Sequence, residues 1–138
     1  MRRSERVSKW MTTEVRSVQV GQKLSEVNAL MQEHGFHHVP VVEGSKLVGI
    51  LSSTDLLRVS YEYGIDQRQT NAVLDDTITV AQLMSEPTTV DESATLREAL
   101  ELLAEGQFHA VPVVDQGTQL VGILTTTDVV RHLLEEIS

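Results

Sequence analysis

The chain has 138 residues, 41% hydrophobic and 22% charged, an ordinary globular composition at the size of one domain. Apolar runs stop at about five residues against the roughly 20 that span a bilayer, and Met1-Arg2-Arg3-Ser4-Glu5-Arg6 leads into no apolar signal core, so no membrane role and a cytoplasmic location are expected. The absence of cysteine excludes a thiol nucleophile, a thiolate metal site and a disulfide framework, while a net charge of −9 and 4% aromatics supply neither the basic patch nor the stacking platform that nucleic acid needs.

The acid excess is uneven. Residues 1–69 carry nine Lys and Arg against eight acids, and residues 70–138 carry two against twelve, an asymmetry that serves solubility. Along the chain the sequence repeats itself. Val7-Ser8-Lys9-Trp10-Met11 returns as Val80-Ala81-Gln82-Leu83-Met84, His37-His38-Val39-Pro40-Val41-Val42 as His109-Ala110-Val111-Pro112-Val113-Val114, and Leu47-Val48-Gly49-Ile50-Leu51-Ser52-Ser53-Thr54-Asp55 as Leu120-Val121-Gly122-Ile123-Leu124-Thr125-Thr126-Thr127-Asp128. The offset runs 73, 72, 73, which places single-residue length differences in loops.

Each copy reads in the same order. A short extended piece, residues 15–18 or 87–90, precedes a helix whose apolar positions Leu24, Val27, Leu30 and Met31, or Leu96, Ala99, Leu100 and Leu103, fall on one face. Thr95 and Glu98 form a capping-box pattern that starts the second of these helices, whereas the first has Lys23 at the corresponding place and lacks the signal. Two apolar runs follow, 39–42 and 47–51 or 111–114 and 120–124, joined by polar Gly-containing turns that suit hairpins. A closing helix begins at each hydroxyl-rich junction, and in the second copy Val130, Leu133, Leu134 and Ile137 fall at i, i+3, i+4 and i+7. The expected class is therefore α+β, strand-helix-strand-strand-helix built twice. Copy 1 spans residues 1–59 with an N-terminal extension and copy 2 spans 80–138. The polar stretch 60–79 between them reads first as the tail of a helix and then as a mobile connection. Units of about 60 residues are small for independent cores, so the copies are expected to pack on each other as one module.

The doubled pattern of Met, His-x-Val-Pro-Val-Val and Gly-Ile-Leu-[Ser/Thr]-x-Thr-Asp resembles a tandem pair of cystathionine β-synthase (CBS) domains, the Bateman module, over nearly the whole chain. The resemblance implies two CBS repeats related by a pseudo-two-fold, with two clefts between them, and frequent pairing of modules into homodimers. It also implies that no cofactor is required, that an adenosine-containing ligand such as AMP, ADP, ATP or S-adenosylmethionine binds, and that the module regulates an attached or partner protein.

Asp55 and Asp128 are the first candidates for ligand contact, because a carboxylate accepts from both hydroxyls of a ribose diol. The resemblance assigns the family's Asp this role. Spacing alone also fits a helix cap: Ser52-x-x-Asp55 and Thr125-x-x-Asp128 are capping boxes with the acid on the favourable end of the helix dipole. Ser52, Thr54, Thr125 and Thr127 either cap the helix start or hold a phosphate there. His37 and His109, three residues before Pro40 and Pro112, occupy places where the family's basic residues reach phosphates, and a structural role is the alternative. His38 is a further phosphate candidate whose counterpart is Ala110, so the two sites should differ. Arg58 and Arg131 sit three residues after the key Asp and are read as i, i+3 ion-pair partners, and Trp10 as a packing anchor.

These residues favour a non-catalytic sensor in which an adenosine ligand stabilises one arrangement and thereby changes affinity for a partner. The competing reading is a ligand-independent dimerisation or interaction module. An enzyme ranks last, since no nucleophile-base-orienter set is readable, and no metal site is expected because adjacent His37 and His38 do not suit one zinc ion.

Overall fold

In the computed structural model, residues 5–62 and 78–137 are described, so the expected connection lies outside the described residues from 63 to 77. The elements are β1 (Val18–Gln19), α1 (Leu24–His34), β2 (His38–Glu43), β3 (Lys46–Ser52), α2 (Ser53–Glu62), α3 (Val80–Leu83), β4 (Val90–Asp91), α4 (Leu96–Ala104), β5 (Ala110–Asp115), β6 (Gln119–Thr125) and α5 (Thr126–Ile137). A 3-10 turn, Val7–Lys9, precedes β1. The class is α+β, and each copy shows the expected strand-helix-strand-strand-helix order, preceded by a short helical turn.

Compact units do not follow the order of the repeats. One is continuous, Arg16–Glu86; the other is split, Met1–Val15 with Pro87–Ser138. The Met-bearing opening segment of each copy thus packs into the unit formed by the body of the other copy.

In the continuous unit β1 pairs parallel with β2, and β2 pairs antiparallel with β3; in the split unit β4, β5 and β6 repeat this arrangement. The middle strands are buried from Val39 to Val42 and from Ala110 to Val114, as a strand covered on both faces requires. Pro40 and Pro112 interrupt nothing on the outer side, because β1 and β4 reach only Val41–Val42 and Val113–Val114, beyond the missing N–H. Both hairpins carry a bulge at the same place. Val41 pairs with Gly49 and Val42 with Leu47, leaving Val48 unopposed; Val113 pairs with Gly122 and Val114 with Leu120, leaving Val121 unopposed.

Both length differences fall where the chain turns. The β2–β3 turn is Gly44 (φ 67°) and Ser45, while the β5–β6 turn has Gln116 (φ 44°), Gly117 (φ 87°) and Thr118, one residue more. The other change lies between the bridges of Thr12 and Ser85 and the first strands, where residues 13–17 correspond to 86–89. These are the crossings from one unit to the other, which is why pairing starts at Val18 and Val90 instead of spanning 15–18 and 87–90.

Helix ends follow local chemistry. At α4 the Thr95 hydroxyl accepts from Glu98 N–H, whereas Lys23 offers α1 no side-chain cap. Gly35, in the left-handed region at φ 69°, ends α1. At the close of β4, Asp91 Oδ2 accepts from Ser93 Oγ and Ser93 N–H, and these bonds hold its carboxyl below the usual range.

Two cores result. In the continuous unit Leu24, Val27, Met31, Val39, Val41 and Leu51 meet Val80 and Leu83 of the α3 segment. In the split unit Val7 and Trp10 of the opening segment meet Leu96, Ala99, Val111, Val113 and Leu124. Leu51 and Leu124 are fully buried, each worth about 1.5–3 kcal/mol. Trp10, 5% exposed, is the packing anchor expected of it.

The closing helix α5 is present as expected, with its apolar face uncovered among the described residues. Its stripe of Val130, Leu133, Leu134 and Ile137 stays exposed, Ile137 at 81%, because α5 touches its own unit through Asp128, Val129 and His132 instead. Periodicity identifies an apolar face without saying what covers it.

The opening segments are seated by glycine. A Cβ on Gly49 would fall inside the van der Waals envelope of Met84, and one on Gly122 inside that of Met11. Gly49→Ala and Gly122→Ala are each expected to destabilise by about 1–3 kcal/mol through overpacking. Met84→Ala in the Gly49→Ala background should recover part of the loss, since the pair shares one space. Thermal melts followed by circular dichroism measure this, and strictly additive losses would contradict the contact.

Candidate functional site

In each unit the strand-to-helix junction is the point where the repeated motifs converge. Strand register puts His38 opposite Ser52 and Ala110 opposite Thr125. The residue before each strand is tied to the helix start: Ser53 N–H donates to His37 O at 2.9 Å, and Thr126 N–H donates to His109 O at 3.0 Å. The continuous unit thereby gathers His37, His38, Ser52, Thr54 and Asp55, and the split unit gathers His109, Thr125, Thr127 and Asp128. The His37, Thr54, His109 and Thr127 side chains are exposed, while Ser52, Asp55, Thr125 and Asp128 are half-buried.

The capping alternative is realised at both junctions. Asp55 N–H donates to Ser52 Oγ at 3.1 Å and Ser52 N–H donates to Asp55 Oδ2 at 3.0 Å. Asp128 N–H donates to Thr125 Oγ1 at 3.1 Å and Thr125 N–H donates to Asp128 Oδ2 at 2.9 Å. Each carboxylate thus spends Oδ2 on its own helix start and leaves Oδ1 for another partner. A cap through Oδ2 does not preclude a ligand contact, because a carboxylate has a second accepting oxygen.

What meets Oδ1 differs. Arg58 Nη2 donates to Asp55 Oδ1 at 2.9 Å, the i, i+3 pair expected from spacing. Arg131, its equivalent, makes no ion pair among the described residues, contrary to the same expectation. Asp128 Oδ1 instead accepts from Thr12 Oγ1 at 3.3 Å, so a neutral hydroxyl from the opening segment stands on that oxygen. Thr12 is held by mutual backbone bonds with Ile123 of 2.8 and 3.0 Å, and Ser85 holds the matching place against Ile50. Sequence reasoning missed Thr12, although a hydroxyl directly after each repeated Met was a readable signal. Among the described residues no group of three or more His, Asp or Glu is placed to hold a metal.

A mixed α+β unit of this topology, made twice, with a hydroxyl–carboxylate junction in each half, defines a paired-repeat module. The CBS domain family matches residues 7–62 and 80–135, and the chain belongs to that family. It is 34% identical over 119 residues to the CBS domain-containing protein YhcV of Bacillus subtilis, covering 86% of this chain and 78% of that protein. It is 29% identical over 132 residues to the uncharacterized protein MJ1225 of Methanocaldococcus jannaschii, covering 94% of this chain but 47% of that protein, so the chain spans about half the length of this relative. The crystal structure of CBSX2 in complex with AMP superposes with a TM-score of 0.80 at 30% identity, over 97% of this chain and 99% of that one. No helix among the described residues is long and apolar enough to cross a membrane.

Removing a cap hydroxyl should be felt in stability. Ser52→Ala and Thr125→Ala are each expected to cost about 1 kcal/mol. Thr54→Ala and Thr127→Ala, whose side chains are exposed and outside the reciprocal bonds, should stay within about 0.5 kcal/mol. Urea unfolding of the four variants separates the two classes.

Proposed function

We propose that the chain is a regulatory module without catalytic activity of its own that binds an adenosine-containing ligand, with AMP the first ligand to test and ADP, ATP and S-adenosylmethionine beside it. The observation that supports this most is the Oδ1 that the cap leaves unused at each junction, in a chain that superposes on an AMP complex over almost its full length. Asp55 and Asp128 accept from the ribose diol. The first-turn N–H groups of α2 and α5, with Ser52, Thr54, Thr125 and Thr127, favour an anion there. His37, His38 and His109 sit beside those helix starts for contact with phosphate. Ligand acts on a regulated protein by favouring one arrangement of the module over another.

Isothermal calorimetry with the four ligands tests the reading. Wild type is expected to bind at least one of them, and Asp55→Ala with Asp128→Ala in one chain to lose binding by tenfold or more while retaining most of its stability. Absence of binding by wild type to all four rules the reading out.

The module pairs with a second copy through α5. Its apolar stripe has the same spacing read in either direction, so an antiparallel copy sets Val130 of one chain against Ile137 of the other and closes Leu133 and Leu134 in the middle, as a self-complementary two-fold contact requires. Leu134→Glu is expected to convert dimer to monomer in native mass spectrometry, with no loss of folded signal. The caps favour one competing reading: if their carboxylates serve helix starts alone, the dimer persists and nucleotide has no effect.

A further inference from the structure

The two junctions hold equivalent carboxylates in unequal company. Asp55 Oδ1 is engaged by a guanidinium at 2.9 Å, a charge-assisted bond to a side chain 57% exposed. Among the described residues, Asp128 Oδ1 is engaged by the Thr12 hydroxyl alone, at 3.3 Å. A diol brings two neutral O–H donors. At Asp55 it must compete with a cation already in place; at Asp128 it joins a long neutral bond on an oxygen whose second lone pair remains for it.

Thr12 is also the end of a fixed segment. Met11 lies over Gly122, and Trp10 stacks on His132 with ring centroids 4.6 Å apart and planes at 21°. The His132 Nε2 lies 3.2 Å from Trp10 O, and His132 stands one helical turn beyond Asp128 on α5. The corresponding residues of the continuous unit, Leu83 and Val59, are a buried apolar pair with no polar tie to the junction. Trp10 is the only tryptophan of the chain. It therefore reports on the Asp128 junction through its contacts with His132.

Resting on the adenosine-ligand reading, we infer that Asp128 forms the tighter of the two sites, that Thr12 is its positioning residue, and that Arg58 holds the Asp55 site back. The N-terminal segment that carries Thr12 then senses occupancy of a site whose other residues, His109 to Asp128, lie 97 to 116 positions away in sequence.

Calorimetry with AMP, recorded alongside Trp10 fluorescence, tests this on single-site variants. Asp55→Ala, which leaves the Asp128 site, is expected to bind AMP more tightly than Asp128→Ala, which leaves the other. Fluorescence should change with AMP in Asp55→Ala. Adding Arg58→Gln to Asp128→Ala should tighten AMP roughly two- to fivefold, the scale of an exposed ion pair. Thr12→Val in the Asp55→Ala background should weaken AMP by a similar factor, with Thr12→Ser restoring it. Arg58 and Thr12 lie outside the reciprocal caps, so these changes remain informative if an Asp variant unfolds, when they are read in wild type.

Equal or tighter binding by Asp128→Ala overturns the inference, as does weaker binding on loss of Arg58, which would make that guanidinium a phosphate ligand. Unchanged AMP affinity in Thr12→Val removes Thr12 from the site. Failure of wild type to bind any adenosine ligand is a different result, which removes the functional reading itself and this inference with it.

Discussion

The reciprocal bond between a hydroxyl and a carboxylate three residues further on is the contact from which both halves of the molecule follow. It closes the end of β3 onto α2 and of β6 onto α5, satisfying N–H groups that a helix start would otherwise leave unpaired. By occupying Oδ2 it also fixes where Oδ1 points. The His-Val-Pro strand is drawn to the same place by register and by the carbonyls of His37 and His109, so one capping device organises the local fold and assembles the candidate site.

The second constraint is the absence of a side chain at Gly49 and Gly122. Each hairpin is thereby open to a methionine from the opening segment of the other repeat, and the backbone bridges at Ser85 and Thr12 complete the seating. Neither repeat has its core from its own residues alone: Val80 and Leu83 enter one core, Val7 and Trp10 the other. A repeat of this size buries too little apolar surface to stand alone, and exchange of opening segments supplies part of what is missing. The exchange also carries Thr12 to Asp128, so a packing solution becomes a feature of the site.

How much was legible depended on the range of the interaction responsible. Strands, hairpins, the Thr95 cap, the uncapped start at Lys23 and the Arg58–Asp55 pair were readable because each rests on residues within a few positions of one another. The α5 stripe was readable as apolar but not as exposed, since periodicity describes one helix and burial requires a neighbour. Arg131 shows the same limit. It sits at the spacing that pairs Arg58, yet Asp128 takes a hydroxyl from residue 12.

The sequence by itself determined the duplicated α+β architecture, the membership in the CBS family and the two Asp-bearing junctions, because repeats, strand patterns and capping boxes are local signals that recur wherever their residues do. Only the tertiary structure decided that the opening segments change units and that the two equal-looking carboxylates have unequal partners. The reason is physical: which donor reaches Oδ1 is settled by side chains arriving from distant parts of the chain, and near-identical strings of nine residues carry no information about what folds against them.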